Sequence, residues 1–307
     1  MLDLHRLRLL RELRERGTIA AVADALQYTP SAVSQQLAVL EREAGVPLLE
    51  RAGRGVRLTD AGLVLANHAE ALLERVELAE SDLAAVSGKV AGRARIASFQ
   101  SAAFHLAVPA MRSLAREAPD LRCELVEAEP EQALPTLPLG EVDLVLGDEW
   151  QHQPLPRTVG IDREDLLVDP VFLILPARHP AARRHVREVP LAELAEAPWT
   201  TGHRETRSGW EELIVRTCRE LGGFEPDIRH RTNDSVTSLA LVAAGQAVTM
   251  LPRLVRPEAR SGVALRSLAD GSVHRTIFAA TRSADAERPS IQALLGAIRG
   301  AAAALDR

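Results

Sequence analysis

The stretch "YTPSAVSQQLAVLE", Tyr28 to Glu41, places uncharged hydrogen-bonding side chains along one face of an expected helix. Val33, Leu37 and Leu40 fall at i, i+4 and i+7 and make a buried stripe, which turns Ser31, Ser34, Gln35 and Ala38 outward. Thr29 is placed to cap this helix, and Pro30 suits its first position, where a missing N–H costs nothing. With Gln36 these residues form the first candidate set, and no Lys or Arg interrupts it before Arg42. A glutamine can meet the N6 and N7 of adenine bidentately and a serine can donate or accept at either base type, whereas a lysine-covered face would bind any phosphate. A merely solvated face would use the same residue types, so the neighbouring segments decide. The next one, "VPLLERAGRGVRLTDAG", has two short strand-like runs around a Gly-containing tip, with Arg51, Arg54 and Arg57 bunched together. That is a hairpin with a basic tip, fit for phosphates or a minor groove.

These side chains need a scaffold. Asp3 to Arg16 reads as a first helix with Leu4, Leu7, Leu9, Leu10 and Leu13 on its apolar side and Gly17 at its end. Thr18 caps a short second helix, "IAAVADALQ", whose alanines let another helix approach closely. Helix, turn, helix and basic hairpin give a winged helix-turn-helix in outline, the geometry in which the second helix of the motif enters the major groove. From Thr59 to Ser87 runs one long helical pattern, capped by Thr59 or Asp60. Its apolar positions Leu65, Ala69, Leu72, Val76, Ala79, Leu83 and Val86 alternate steps of four and three. A 3.5-residue repeat marks a coiled-coil seam, so dimerisation through Leu65, Leu72, Val76 and Leu83 is expected.

Residues 88–92 break this helix and read as a hinge. Beyond them strand-like and helical runs alternate: "RARIASF", a helix near Ala102 to Arg116, "RCELVEA", a helix near Glu131 to Leu139, and "VDLVLGD". "DPVFLILP" is a continuous buried-strand run, and a second alternating set follows it through "APWTTG", "PDIRHRT" and "AVTMLP". "HRTIFAATR" and a helix from Arg288 to Leu305 close the chain. The alternation predicts a parallel sheet with helices on both faces, in two similar α/β lobes with a cleft between them. The expected domains are 1–58, a linker helix 59–87, the hinge, and 93–307, with lobe I at about 93–161 and 269–307 and lobe II at about 162–268.

Composition bounds the function. Of 307 residues 46% are hydrophobic and 26% charged, as in globular domains, and the length allows two or three of them. The net charge of -5 alone argues against a nucleic-acid partner, but residues 1–58 hold nine Arg and seven acids, whereas residues 59–87 hold one Arg and six acids. Positive charge is concentrated at the front. No uncharged apolar run of about 18 residues occurs and the N-terminal helix is charged in every turn, so neither a membrane partner nor a signal peptide is expected and the cytoplasm is the expected location. Cys123 and Cys218 form no CxxC pair and read as buried thiols. The nine histidines, among them His5 and His105, show no HExxH or HxH spacing, and GxSxG, P-loop and GxGxxG patterns are absent; no metal, no cofactor and no enzyme activity are expected. The rival reading, an enzyme or solute-binding protein with a helical appendage, lacks these motifs and the signal peptide.

Ala20 to Gly62 closely resembles the DNA-binding region of LysR-type transcriptional regulators, through Ser31-Ala32-Val33-Ser34-Gln35-Gln36-Leu37, Pro47-Leu48-Leu49-Glu50-Arg51 and Leu58-Thr59-Asp60-Ala61-Gly62. The resemblance implies an all-α winged helix-turn-helix, a long linker helix and a two-lobed α/β, periplasmic-binding-protein-like effector domain. It also implies double-stranded DNA as partner, a homo-oligomer that is a tetramer made of dimers, and a small effector between the lobes. Pro30 departs from the Gln or similar residue usual there, and Gln35 from a frequent Arg, which favours adenine over guanine. Ala247 in "VAAGQAVTMLP" stands where a second Gly is commoner.

Three segments place polar groups where a strand hands over to a helix: Ser98, Gln100 and Ser101, in the run that ends at Ala102; Thr200, Thr201, His203 and Arg204; Asn233 and Ser235. Such helix starts suit a carboxylate or similar anion, although ordinary N-caps look alike. Asp148 and Glu149 follow a strand at the end where α/β clefts open and could face an amino group. An anionic or amino-acid-like effector is the resulting expectation.

Overall fold

The computed structural model describes residues 1–52, 55–86, 90–183, 187–203 and 209–305. The chain divides into two compact units, Met1–Val86 and Ser87–Arg307.

In the first unit, helix α1 (Leu4–Arg16) starts at Asp3, whose carboxylate accepts from the Arg6 N–H, and stops at Gly17, held at φ 75°. Thr18 and Thr29 cap α2 (Ile19–Leu26) and α3 (Pro30–Ala44) in the same way. Leu7, Leu10, Leu13, Val22, Val33, Leu37 and Leu40 make one core, each under 4% exposed. Burying each such side chain contributes about 2 kcal/mol. The hairpin of β1 (Leu49–Ala52) and β2 (Gly55–Leu58) pairs Glu50 with Arg57 and Arg51 with Val56. Glu41 anchors its entry by accepting from the N–H groups of Leu48 and Leu49, at 2.8 and 2.9 Å. Thr59 anchors its exit, donating to the Pro47 carbonyl and accepting from the Gly62 N–H. A Cβ at Gly62 would lie 2.2 Å from the Leu48 carbonyl oxygen, so only glycine lets the next helix start against the hairpin.

That helix, α4 (Asp60–Val86), is 27 residues and about 40 Å long. Its seam divides. Leu65 and the fully buried Ala66 and Ala69 pack into the unit's own core, against α1, whereas Leu72 is 46% and Leu83 72% exposed. Leu65, expected in the seam, is half-buried and also packs against the unit's own core, where α1 lies along this half of α4 with Arg14 donating to Asn67 at 2.7 Å.

The second unit is built on an eight-stranded sheet. In chain order its elements are β3 (Gly92–Ser98); α5 (Gln100–Ala102), which continues through a π-helical turn, Ala103–Ala107, into α6 (Val108–Glu117); β4 (Leu121–Glu127); α7 (Pro130–Ala133) and α8 (Thr136–Leu139); and β5 (Leu144–Trp150). The long β6 (Ile161–Pro176) follows, then α9 (Pro180–Arg183), β7 (Glu188–Val189), β8 (Pro198–Thr201), α10 (Trp210–Thr217), β9 (Asp227–Arg231), α11 (Ser235–Ala243), β10 (Thr249–Pro252), β11 (Val263–Leu268), β12 (Val273–Arg282) and α12 (Pro289–Leu305). The strand order is β4-β3-β5-β12-β6-β11-β7, with β10 also on β6, while β8 and β9 pair separately in parallel. Two expectations are corrected here. The sheet is mixed, because β12 re-enters the first lobe antiparallel to both β5 and β6. The lobe boundary also falls later than 161/162: Ile161, Leu166 and Leu167 pack with the first lobe, and only from Val171 does β6 join the second lobe's core and pair with β10 and β11. "IDREDLLV" carries too many charges to read as strand from sequence, yet its Arg163 lies 3.5 Å over the Phe278 ring and Glu164 pairs with Arg299. α12 covers the first lobe with Ile291, Leu294, Leu295, Ile298 and Ala302.

Candidate functional site

Cap and stripe together aim α3. Ser31, Ser34, Gln35 and Ala38 are exposed while Val33, Leu37 and Leu40 are buried. Thr29 Oγ1 accepts from the Ala32 N–H at 3.2 Å and shares a 3.1 Å hydrogen bond with Ser31, and Pro30 is exposed at the first helical position. Gln36 differs from the others. It is half-buried and its Oε1 accepts from Arg6 Nε at 3.0 Å, while Arg6 also pairs with Glu43 at 2.7 Å. Gln36 thus braces α3 against α1, unlike the other residues of its candidate set. Tyr28, 47% exposed and edge-on to His5, extends the face and was not singled out from sequence, because it precedes the helix.

On the hairpin, Arg51 is exposed and has no ion-pair partner among the described residues. Arg57 lies 2.7 Å from its cross-strand neighbour Glu50; both are exposed, so the pair holds each side chain weakly. Arg54 lies outside the described residues.

In the second unit the lobes approach at a cavity of about 60 Å3 whose wall includes Gln100, Ser101, Asp148, Asn233 and Ser235. Five sequence candidates therefore meet. Gln100 ties the lobes: its Oε1 accepts from the Ser235 hydroxyl, and its Nε2 donates to Asp234, which caps α11. Asn233 Oδ1 accepts from the His203 N–H at 2.8 Å, and His203 lines a wider neighbouring cleft. The remaining candidates are elsewhere. Ser98 is fully buried and donates to the Phe99 carbonyl, and Ala102 is packed in the first lobe's core. Thr200 and Thr201 are fully buried on β8 and do not line the cavity; their side chains face the interior because β8 is covered by its own lobe. Arg204 lies outside the described residues.

The residue that organises the cavity is Arg275. Its Nε and Nη2 donate to Asp169 at 3.0 and 2.9 Å, Nη1 donates to Asp148 at 2.9 Å, and Nη2 donates to Ser101 at 2.8 Å. Arg275, Asp148 and Asp169 are 4%, 6% and 2% exposed. The guanidinium lies 4.8 Å from the Phe99 ring centroid and 5.4 Å from that of Trp150. Burial pushes the Asp148 carboxyl up, and Arg275 opposes that rise. Glu129, on the same wall, is pushed up to about 7 by burial, then by Asp148 and Glu131, against Arg275. Sequence reading missed Arg275 and Asp169: both open polar positions on strands that otherwise read as core, and their partners are more than a hundred residues away.

Residues 87–303 match the LysR substrate binding domain, and residues 4–63 match the bacterial regulatory helix-turn-helix proteins of the lysR family. The chain belongs to the LysR family. This LysR-type chain is 29% identical over 300 residues, 97% of either chain, to the probable HTH-type transcriptional regulator LrrA of Synechococcus elongatus. It is 27% identical to the HTH-type transcriptional regulator ClcR of Pseudomonas putida, over 83% of this chain and 84% of that one. In fold it is similar to full-length CbnR complexed with its target DNA (TM-score 0.71, 22% identity, 98% and 100% of the two chains). It is also similar to the probable regulator PA0477 from Pseudomonas aeruginosa (TM-score 0.74, 20% identity, 97% of each chain). The LysR-type chain is a DNA-binding transcriptional regulator with an effector-binding domain, not an enzyme. Among the described residues no helix is long and apolar enough to cross a membrane.

Proposed function

We propose that this LysR-type regulator works in the cytoplasm as a sequence-specific homo-oligomer whose DNA binding or transcriptional output follows a small effector held between its two α/β lobes. The observation that carries the DNA half is the pairing of an uncharged, exposed α3 face with the exposed Arg51. Ser31, Ser34 and Gln35 read base edges with Thr29 and Pro30 setting the helix start, while Arg51, Arg57 and Arg54 hold backbone phosphates. The effector occupies the cavity that Gln100, Ser101, Asp148, Asn233 and Ser235 share. Of the anionic and amino-acid-like alternatives, the acids on its wall favour the second. A ligand that prefers one arrangement of the lobes shifts the regulator only by its differential affinity for the two arrangements. Two copies join through α4, at the exposed Leu72 and Leu83 and the half-buried Val76, and dimers pair into a tetramer.

Retardation of DNA from upstream of its own gene tests this reading. The full chain is expected to retard it and a chain lacking residues 1–60 is not; retention after the deletion would overturn the assignment. Leu72→Glu with Leu83→Glu is expected to lower the mass in sedimentation, and an unchanged mass would remove α4 as the dimer seam.

A further inference from the structure

On the cavity wall Glu129 stands apart from the hydrogen-bonded acids. Arg275 donates to Asp148, Asp169 and Ser101, so two buried carboxylates already share one guanidinium. Glu129 stands on the same wall, half-buried, with no side-chain hydrogen bond or ion pair among the described residues. A carboxyl withdrawn from water beside another acid either keeps its proton or faces a cation. Phe99, Trp150 and Trp210 add aromatic faces to this wall, and such faces attract cations, as the first two already do with Arg275.

A second observation concerns Trp150 itself. The side chain is 8% exposed, lines the cavity, and its buried indole N–H has no acceptor among the described residues. A buried donor left unpaired in a cavity wall awaits an oxygen. An anion alone would be poorly received. Arg275 is neutralised from two sides, the Ser101 hydroxyl already accepts from it, and Gln100 is engaged by Asp234 and Ser235.

We propose that the effector carries a primary ammonium group held by Glu129 with Asp148 behind it, and, a few bonds away, an oxygen that accepts the Trp150 indole N–H. Amino acids and amino alcohols have this chemistry. The inference rests on the reading of this cleft as the effector site. A cavity of about 60 Å3 takes the head group, and the wider cleft that shares Asp148 and Trp150 takes the rest of the molecule.

The test is calorimetric titration of the full chain at pH 8 with the L-amino acids and their amino alcohols, each beside its N-acetyl derivative, and with propionate and succinate. At least one free amine is expected to bind, with its N-acetyl form weakened tenfold or more. Glu129→Gln is expected to weaken that amine at least tenfold, and Trp150→Phe, which keeps a ring but loses the donor, about threefold to tenfold. If the N-acetyl forms or the plain carboxylates bind as well as the amines, or if Glu129→Gln leaves amine binding intact, the ammonium assignment is overturned. In that event loss of binding in Ser235→Trp, which fills the cavity, would still support the effector cleft. Binding of no compound, or binding unaffected by Ser235→Trp, overturns both. The N-acetyl comparison uses the unaltered protein, so a variant that fails to fold does not remove the test.

Discussion

The outward residues of α3 lie within eight chain positions, from Ser31 to Ala38, whereas the effector cavity joins Ser101 to Arg275 across 174 residues and Gln100 to Ser235 across 135. The first arrangement needs only a capped helix with an apolar stripe on its other side. The second needs β12 and β6 to cross from lobe to lobe before any of its hydrogen bonds exist. A surface of the first kind tolerates replacement of its outward side chains, because each faces water. A cavity of the second kind couples charge to stability, because Arg275, Asp148 and Asp169 are buried and bonded to one another.

The largest expected effect separates the two regions most sharply. Arg275→Met leaves Asp148 and Asp169 buried without their guanidinium and is expected to destabilise the effector domain by about 4 kcal/mol. Urea unfolding measures it. Adding Asp148→Asn and Asp169→Asn to Arg275→Met is expected to restore a large part, whereas Ser34→Ala on α3 changes stability by less than about 0.5 kcal/mol. Equal losses from Ser34→Ala and Arg275→Met would erase the distinction.

Next in size is a dependence on pH. The Glu129 carboxyl is raised to about 7 from an ordinary 4.5 by burial, with Asp148, Glu131 and Glu127 adding to the rise and Arg275 opposing it. A raised acid keeps its proton in the folded state while the unfolded chain has lost it, so its contribution is most favourable below the ordinary value and falls as pH climbs through 7. The full shift amounts to about 3 kcal/mol. Glu129→Gln cannot titrate. Its stability relative to the parent chain is therefore expected to rise by about that amount between pH 4 and pH 8, measured by urea unfolding at both. A gap that stays constant with pH would place Glu129 in water rather than in the cavity wall.

What could be read from the chain follows the same division. Caps at Thr18 and Thr29, the stripe of Val33, Leu37 and Leu40, and the Gly62 joint are local patterns, and periodicity with N-cap chemistry is enough to place them. Leu65 shows that a heptad position does not say which partner it meets, since it is half-buried against the core of its own unit. Half of β6 escaped notice because Asp162, Arg163, Glu164 and Asp165 look like loop until Phe278 and Arg299 are brought beside them. In the cleft, strand-to-helix junctions marked Gln100, Ser101, Asn233 and Ser235, which line one cavity, but Thr200 and Thr201 showed the same pattern and are interior. Arg275 and Glu129 carry no local signal, because their meaning lies in partners that only the tertiary fold supplies.

The smallest expected effects test the local half. Gln35→Ala is expected to relax the preference at one base pair by about 1–3 kcal/mol and to leave the salt dependence unchanged. Arg51→Ala is expected instead to weaken binding to all sequences alike and to lower the slope of log affinity against log salt by about 1. Titrations of an operator and of scrambled DNA at several salt concentrations distinguish the two. Gln36, one residue along from Gln35, provides the finest comparison. Its side chain turns to Arg6, so Gln36→Ala is expected to cost about 1 kcal/mol of folding stability through one lost hydrogen bond and to leave base preference as it was. Should Gln36→Ala change the preferred sequence as Gln35→Ala does, the 100° turn between neighbouring helix positions would no longer separate a base-reading side chain from a bracing one, and the face assigned to α3 would have to be redrawn.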